Sequence, residues 1–195
     1  MSLILASASS SRKMLLTAAG ISFTADPADL DEAALMMKWK DAGAEVMARG
    51  LAEQKALAVS RRHPGRTVLG GDSVIAFDGD TLSKCASLEE ARALLARLSG
   101  KTHLLVSAAA LARDGVLLWA HASPCEMTMR DLSPQFLDDY LAAEGPAILS
   151  SVGCYHFEGR GAQLFATVQG DYFSVLGLPL LPVLAALRKE GELAS

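Results

Sequence analysis

The fold class is decided by a stretch in the middle of the chain, THLLVSAAALARDGVLLWAHASPCEMTM at residues 102–129. Thr102–Ala112 and Val116–Met129 are two long, largely apolar runs, and Arg113-Asp114-Gly115 separates them. An Asp-Gly pair between two such runs is typical of the tight turn of a β-hairpin. The stretch therefore predicts two long antiparallel strands.

Outward from this hairpin, strand and helix patterns alternate. The strand patterns lie at 3–6, 21–24, 67–69 with a continuation at 73–77, 152–157 and 163–168. Helical spacing of apolar residues occurs at 12–19, 45–61, 88–98, 135–143 and 179–189. Asp78-Gly79 predicts a second hairpin turn. Asp26–Asp31 predict an acidic loop, to which Glu32 is also assigned. Together these patterns predict an α/β fold with a mixed twisted sheet flanked by helices.

The composition of the 195 residues narrows the classes of protein. The chain is 51% hydrophobic and 21% charged, which excludes intrinsic disorder. A net charge of −4 disfavours a nucleic-acid partner. Three widely spaced cysteines suit a reducing cytosol, and no signal peptide or membrane span is visible, so a cytoplasmic protein with no membrane partner is expected. Length and the lack of a linker predict one domain over residues 1–195.

Three segments combine residues suited to phosphate chemistry. The small residues and serines of LASASSSRK at 5–13 lead into a helix whose free N–H groups could bind an anion. Asp72 follows Gly70-Gly71 at the end of an apolar strand, and the carboxyl end of a strand is where α/β proteins often place metal ligands and bases. Lys84 follows across the Asp78-Gly79 turn, and a hairpin would bring it back toward Asp72. The same residues also fit structures without a catalytic role: residues 5–13 can be a polar turn, Asp72 an aspartate in a turn, and Lys84 a solvated charge.

Taken together, the carboxylates and cations of these segments favour an enzyme that acts on a phosphoanhydride with a divalent metal. Carboxylate oxygens and substrate phosphates are the ligands that Mg²⁺ prefers. Phosphoryl chemistry needs positioning and charge neutralisation more than a covalent nucleophile. The residues alone thus predict a class of reaction and leave the substrate open.

Ordered blocks along nearly the whole chain resemble the Maf family of nucleoside triphosphate pyrophosphatases. The blocks are LASASSSRK at 5–13, DLDE at 29–32, LAEQKA at 51–56, VLGGDS at 68–73, LARLSGKTH at 95–103, GCYHFEGRGA at 153–162 and GDYFSVLGLPL at 170–180. The resemblance implies hydrolysis of a nucleoside triphosphate to the monophosphate and pyrophosphate. It also implies a Maf/ITPase-like fold of two lobes with a deep substrate cleft, a Mg²⁺ or Mn²⁺ cofactor, and a homodimer.

The same resemblance implies roles for individual residues. Asp72 corresponds to the general base that activates water and, with Glu32, to a metal ligand. Lys55 and Lys84 correspond to catalytic contacts with the triphosphate. The residues implied to bind substrate are Ser9, Arg12 and Lys13. The residues implied to read the base are Ser11, Ser73 and Glu158.

The chain also departs from the family pattern at several of these blocks. Ser10 replaces a proline, Lys13 an arginine and Cys85 a proline, and Ser151-Val152 replaces a Lys-Ala pair. A glutamine at the base-reading position of Glu158 would offer a donor and an acceptor, which match the mixed edge of uracil or thymine. An ionised glutamate only accepts hydrogen bonds, which suits the two adjacent N–H donors of guanine and suits a methylated guanine cation further. We therefore expect a guanine-type or modified nucleotide rather than a pyrimidine.

Two other classes of function fit parts of the sequence. A non-catalytic regulator of cell division that binds a nucleotide or a protein is favoured by the departures at Ser10, Lys13 and Cys85. Single-stranded RNA binding is weaker, because only 6% of the residues are aromatic and the net charge is negative. Turnover separates an enzyme from a regulator, since a binding module saturates at one equivalent.

Overall fold

The computed structural model describes residues 3–194, and the strands of this part form one mixed sheet. The strands are β1 Leu3–Leu5, β2 Phe23–Ala25, β3 Val68–Phe77, β4 Asp80–Leu82, β5 Thr102–Arg113, β6 Val116–Met129 and β7 Phe165–Gln169. Their order is β2-β1-β3-β5-β6-β7, and β4 pairs with β3 off this path. β1 is parallel to β2 and β3, whereas β3–β4 and β6–β7 are antiparallel. The predicted mixed α/β sheet is confirmed.

The two Asp-Gly pairs form the hairpin turns that the sequence predicts. Asp78 and Gly79 have φ angles of 57° and 83°, and they join β3 to β4. Asp114 and Gly115 have φ angles of 53° and 75°, and they join the neighbouring strands β5 and β6. Two successive left-handed residues twist in the sense of the flanking strands, which is why Asp-Gly is favoured there.

Helices flank the sheet, and their starts coincide with capping residues. They are α1 Ser10–Ala18, α2 Glu32–Lys38, α3 Ala44–Ser60, α4 Leu88–Leu98, α5 Pro134–Glu144, α6 Tyr172–Val175 and α7 Leu180–Lys189, with 3₁₀ helices at Gly145–Ser150 and Arg160–Leu164. The side chains of Ser9, Ser87 and Ser133 accept hydrogen bonds from free backbone N–H groups at the starts of α1, α4 and α5. The helices predicted from apolar spacing lie at nearly the predicted bounds.

Three predictions of local structure are wrong. Asp72 lies inside β3 and not at the end of a strand, because the strand continues to Phe77. Residues 152–157 form turns and bends rather than a strand, and Cys154 has a left-handed φ of 55°. The apolar side chains of this run, Cys154 and Tyr155, are buried as anchors of a turn. Glu32 does not lie in an acidic loop: it is the first residue of α2, because the Asp31 side chain accepts a hydrogen bond from the Ala34 N–H and caps the helix.

The chain forms two compact units. The first comprises the chain up to Ser73, Val106–Pro124 and the chain from Asp171, and the second comprises Val74–Leu105 and Cys125–Gly170. The chain passes from one to the other inside β3, β5 and β6, and again after β7. Each unit has fully buried apolar side chains of its own: Leu5, Leu16, Met47, Leu51, Leu69 and Leu111 in the first, and Leu95, Leu98, Met127, Met129 and Ile148 in the second. Among residues 3–194, every helix is too short or too polar to cross a membrane.

Candidate functional site

A buried ion pair with a second carboxylate lies in the first unit. The Lys55 Nζ is 2.6 Å from Asp72 Oδ1 and 2.9 Å from Glu32 Oε1. The side chains of Lys55 and Asp72 are 11% and 10% exposed, whereas that of Glu32 is 51% exposed. One ammonium group thus joins a buried carboxylate to a carboxylate that solvent reaches. The structure brings together these three residues, which the sequence places on three separate segments.

The two glycines before Asp72 allow this arrangement on one face of β3. Successive residues of a strand point to opposite faces, so Gly70 and Asp72 share a face. A Cβ on Gly70 would overlap the Ala52 carbonyl oxygen and lie 2.7 Å from the Ala56 nitrogen, both on α3. The missing side chain therefore lets α3 pack directly on β3. Lys55 lies on that buried face of α3, which brings its ammonium group to Asp72.

The opposite face of β3 holds the buried guanidinium group of Arg12. Its Nη2 donates to Ser73 Oγ at 3.0 Å, its Nε to the Gly177 carbonyl at 2.9 Å and its Nη1 to Ser7 Oγ at 3.1 Å. A Cβ on Gly71 would lie 3.0 Å from the Arg12 Nε, so this glycine also makes room for the packing. Arg12, predicted to contact substrate, is anchored by protein groups through three of its five N–H donors.

Burial and charge act in opposite directions on the two ionisable groups nearest the centre of this site. Burial raises the pKa of the Asp72 carboxyl, and the nearby charges of Lys55 and Arg12 act against that rise. Burial likewise lowers the pKa of Arg12, while Asp72 and Glu32 raise it. A carboxylate with a raised pKa is a stronger base near neutral pH than an exposed one. Such a group suits proton abstraction from water.

The start of α1 lies in the same unit and has the predicted features of an anion site. Ser9 caps the helix by accepting a hydrogen bond from the Arg12 N–H, and its own N–H donates to Ser7 Oγ at 3.2 Å. Ser11 and Lys13 are half-buried in the first turn. Helix N-termini of this kind attract anions through free N–H groups and the helix dipole. That Ser9, Ser11 and Lys13 contact substrate stays a prediction.

Lys84 and Glu158 belong to the second unit. Lys84 is exposed in the loop after β4, where the β3–β4 ladder has ended at the pair Ile75–Leu82. Glu158 is exposed in the turn that follows Tyr155. Their roles in contacting the substrate stay predictions.

Aromatic side chains that the sequence analysis did not single out support the turn containing Glu158. The buried Tyr155 hydroxyl lies 2.9 Å from His103 Nε2, and its ring meets the Phe165 ring edge-on with centroids 4.9 Å apart. Phe157 packs on the same Phe165 ring at 5.6 Å. The Ser73–Ser107 hydroxyl pair at 3.0 Å in the first unit was missed as well. No regular spacing in the sequence indicates either the aromatic contacts or the serine pair.

Glu32 and Asp72 are the donors available for the predicted metal ion. Residues 3–194 contain no group of three or more His, Cys, Asp or Glu side chains arranged around one point. The two carboxylates nevertheless meet at one ammonium group, and Glu32 is open to solvent. Mg²⁺ commonly takes one or two protein carboxylates and completes its shell with water and substrate phosphates. The residues present fit a metal ion that binds together with a phosphate ligand.

Known proteins match this chain over nearly its full length. A family model described as Maf-like protein matches residues 2–190. The chain is 49% identical to the 7-methyl-GTP pyrophosphatase of Mesorhizobium japonicum, covering 98% of this chain and 97% of that one. It is 46% identical to the nucleoside triphosphate pyrophosphatase of Granulibacter bethesdensis, covering 99% of each. A solved structure of a HAM1 protein from Coxiella burnetii aligns with a TM-score of 0.46 at 17% identity, covering 66% of this chain and 73% of that one.

Proposed function

Because the chain belongs to the Maf-like protein family, we propose that it hydrolyses a nucleoside triphosphate to the monophosphate and pyrophosphate, with an N7-methylated guanine nucleotide preferred. The observation that carries the chemistry is the buried contact of 2.6 Å between Lys55 and Asp72, with Glu32 on the same ammonium group. The relatives named 7-methyl-GTP pyrophosphatase support the choice of base.

In the proposed reaction, Asp72 takes a proton from water while the water oxygen attacks the α-phosphorus. The bond between that phosphorus and the α–β bridging oxygen breaks, and the oxygen leaves with pyrophosphate. The pKa of Asp72 is raised by burial, which makes the carboxylate a more effective base near neutral pH. Lys55 fixes the position of the carboxylate and places a positive charge beside the reacting groups.

Glu32 and Asp72 would hold the divalent cation, which supplies charge neutralisation for the phosphate oxygens. The exposure of Glu32 favours binding of the cation with the nucleotide rather than in a closed protein cage. Ser9 and Lys13 at the start of α1 add contacts to the triphosphate in this proposal. A contact from Lys84 is proposed on the resemblance to the family. Arg12 contributes by holding Ser73 at 3.0 Å.

The proposed preference for the base rests on Glu158. A carboxylate accepts hydrogen bonds from the N1–H and exocyclic N–H of guanine, and methylation at N7 adds a positive charge that it attracts. The turn that contains Glu158 is held by the buried Tyr155 and its contact with His103. Ser11 and Ser73 are small, so they would shape the space around the base rather than select it.

The test is pyrophosphate release from 7-methyl-GTP, GTP and TTP with Mg²⁺ or Mn²⁺, with and without EDTA. Asp72→Asn should lose about 10²–10⁴-fold of turnover, since this is the usual contribution of a general base. The matched control is Asp138→Asn, which removes a carboxylate paired with Arg92 on an exposed surface. Full activity of Asp72→Asn would reject its role, and stoichiometric binding without turnover would favour the regulator.

Glu158→Gln tests the base separately. A glutamine offers a donor and an acceptor in place of two acceptors, so it should weaken discrimination in favour of 7-methyl-GTP over TTP. The measured quantity is the ratio of kcat/KM for the two nucleotides. An unchanged ratio would refute the assignment of Glu158 and leave the proposed reaction intact.

A further inference from the structure

Two serine hydroxyls of the first unit are hydrogen-bonded to each other across neighbouring strands. Ser73 lies on β3 and Ser107 on β5, and their Oγ atoms are 3.0 Å apart. The side chain of Ser107 is fully buried, whereas Ser73 is partly exposed. Ser73 therefore joins a buried hydroxyl to a position that solvent reaches.

The guanidinium group of Arg12 fixes one of the hydrogen bonds of Ser73. Its Nη2 donates to Ser73 Oγ at 3.0 Å, and a guanidinium group can only donate. The group is held in this orientation, because its Nε and Nη1 donate to the Gly177 carbonyl and to Ser7 Oγ. One lone pair of the Ser73 oxygen is thus always occupied.

The burial of Ser107 determines which of the two hydroxyls donates to the other. Within residues 3–194, Ser73 Oγ is the one hydrogen-bond partner of the Ser107 hydroxyl. If Ser73 donated to Ser107, the Ser107 proton would be buried without an acceptor, which folded proteins avoid. The Ser107 hydroxyl therefore donates to Ser73. Both lone pairs of the Ser73 oxygen are then occupied, and its own O–H is left to donate to a ligand.

The first unit leaves space beside the Ser73 hydroxyl. A Cβ built on Gly177 would lie 3.5 Å from Ser73 Oγ. Apart from the two chain neighbours of this glycine, no other heavy atom of the described part of the unit would lie within 4 Å of that Cβ. Gly177 has a φ of 103°, a conformation that favours glycine, so backbone without a side chain borders the space. A ligand atom can approach the Ser73 hydroxyl there.

We propose that Ser107 is a positioning residue that makes the Ser73 hydroxyl an obligate hydrogen-bond donor toward the nucleotide base. This inference rests on the proposed function, in which Ser73 borders the base. An obligate donor pairs with a carbonyl oxygen, such as O6 of guanine, and opposes the amino group of adenine donor to donor. It does not separate guanine from thymine, since both carry a carbonyl oxygen. Besides limiting the space, Ser73 thus favours bases with a carbonyl over bases with an amino group.

Ser107 contacts no ligand in this proposal and acts through Ser73. Without the Ser107 hydroxyl, one lone pair of the Ser73 oxygen becomes free, and Ser73 can then accept a hydrogen bond from an amino group. Loss of this hydroxyl should therefore raise activity toward an adenine nucleotide while activity toward a carbonyl-bearing base changes little. A residue that only stabilised the fold would lower both activities together.

The experiment compares ITP, whose base has a carbonyl group at C6, with ATP, whose base has an amino group there. Pyrophosphate release gives the ratio of kcat/KM for the two nucleotides, and calorimetry in EDTA gives the ratio of their dissociation constants without turnover. The native chain should favour ITP about tenfold or more. The N1–H of hypoxanthine, which adenine lacks, affects every variant alike and cancels when the ratios are compared.

The variants should change the two ratios in different ways. Ser107→Ala should reduce the preference for ITP about fivefold or more, mainly through tighter binding and faster turnover of ATP. Ser73→Ala should reduce it through losses on ITP. Ser107→Cys keeps the volume of the side chain and has only a weak donor, so it should shift the ratios in the same direction as Ser107→Ala and provides a second test if that variant does not fold.

Ser60→Ala is the matched control. The Ser60 hydroxyl is also fully buried in the first unit, but it donates to the Leu57 carbonyl and accepts from the Gly115 N–H. Its removal should lower the Tm and leave both ratios unchanged. Thermal unfolding of all variants shows that the serine substitutions are compared in folded proteins.

Other results would overturn the proposal. Unchanged ratios in Ser107→Ala and Ser107→Cys, or equal losses on ITP and ATP, would refute the positioning role. Loss of both nucleotides by the same factor in Ser73→Ala would indicate a phosphate contact and refute the contact with the base. Binding of nucleotides without turnover by the native chain would refute the proposed function, while the dissociation constants would still decide the role of Ser107. Absence of binding to either nucleotide would refute both.

Discussion

His103 should make the protein less stable as the pH falls below neutral. The side chain is 2% exposed in the second unit, its Nε2 is 2.9 Å from the Tyr155 hydroxyl, and within residues 3–194 its Nδ1 has no hydrogen-bond partner. Burial lowers the pKa of His103 from 6.5 to about 4. The experiment therefore lowers the pH and compares the free energy of unfolding of the native chain with that of a variant that has no titratable group at position 103.

The direction of the change in stability depends on whether the folded or the unfolded chain binds the proton more readily. Between pH 6.5 and about 4 the unfolded chain protonates His103 and the folded chain does not, so the free energy of unfolding falls as the pH is lowered. The difference between the two pKa values corresponds to about 3 kcal/mol when fully expressed. The expected loss attributable to His103 is about 1 kcal/mol at pH 5.5 and about 2–3 kcal/mol at pH 4.5.

The assay is urea unfolding at pH 7.5, 5.5 and 4.5, followed by far-ultraviolet circular dichroism. His103→Gln is the comparison because its amide nitrogen can occupy a position near Nε2 and keep the contact with Tyr155. Both proteins contain the same carboxyl groups, so those titrations cancel in the difference between the two pH profiles. Parallel profiles for the two proteins would refute the assignment, and a steeper profile for the variant would reverse its sign.

Two substitutions test the buried charges of the first unit. Lys55→Met leaves Asp72 buried without its ammonium partner and should lower the free energy of unfolding at neutral pH by about 3–5 kcal/mol. Because burial raises the pKa of Asp72, this loss should shrink as the pH falls. The double variant Lys55→Met/Asp72→Asn should recover most of the lost free energy of unfolding. If urea unfolding shows that the losses of the two single variants add in the double variant, the pairing is contradicted. Arg12→Lys removes the planar donors that reach Ser73 and Gly177, so thermal unfolding should show a loss of about 1–3 kcal/mol, and an unchanged Tm would contradict the anchoring role.

The sheet and most helices were predictable because their signals are local. Asp78-Gly79 and Asp114-Gly115 require left-handed backbone at both positions, and the structure has it there. Ser87 precedes the apolar spacing of α4 and caps that helix, as the sequence predicts. Such features depend on residues within a few positions of one another, and a single sequence contains all of that information.

The failures occur where packing outweighs local pattern. The apolar run at 152–157 has the composition of a strand, but Cys154 and Tyr155 are buried in a turn and its backbone bonds to no neighbouring strand. In place of a ladder, Tyr155 is held by His103, which is 52 residues away in the chain. The sequence gives no sign of such a contact, because each partner alone reads as an ordinary buried residue.

The candidate site shows the same limit. Asp72 and Lys55 could be singled out from Gly-rich strand context and from the resemblance to a family, but their contact depends on how closely α3 approaches β3. That approach is set by Gly70, whose role emerges only when the helix is placed: a side chain there would overlap the Ala52 carbonyl oxygen. A substitution at Gly70 would therefore separate Lys55 from Asp72 without changing either residue. Gly70 is therefore required for the packing of α3 on β3 that brings Lys55 to the candidate base Asp72.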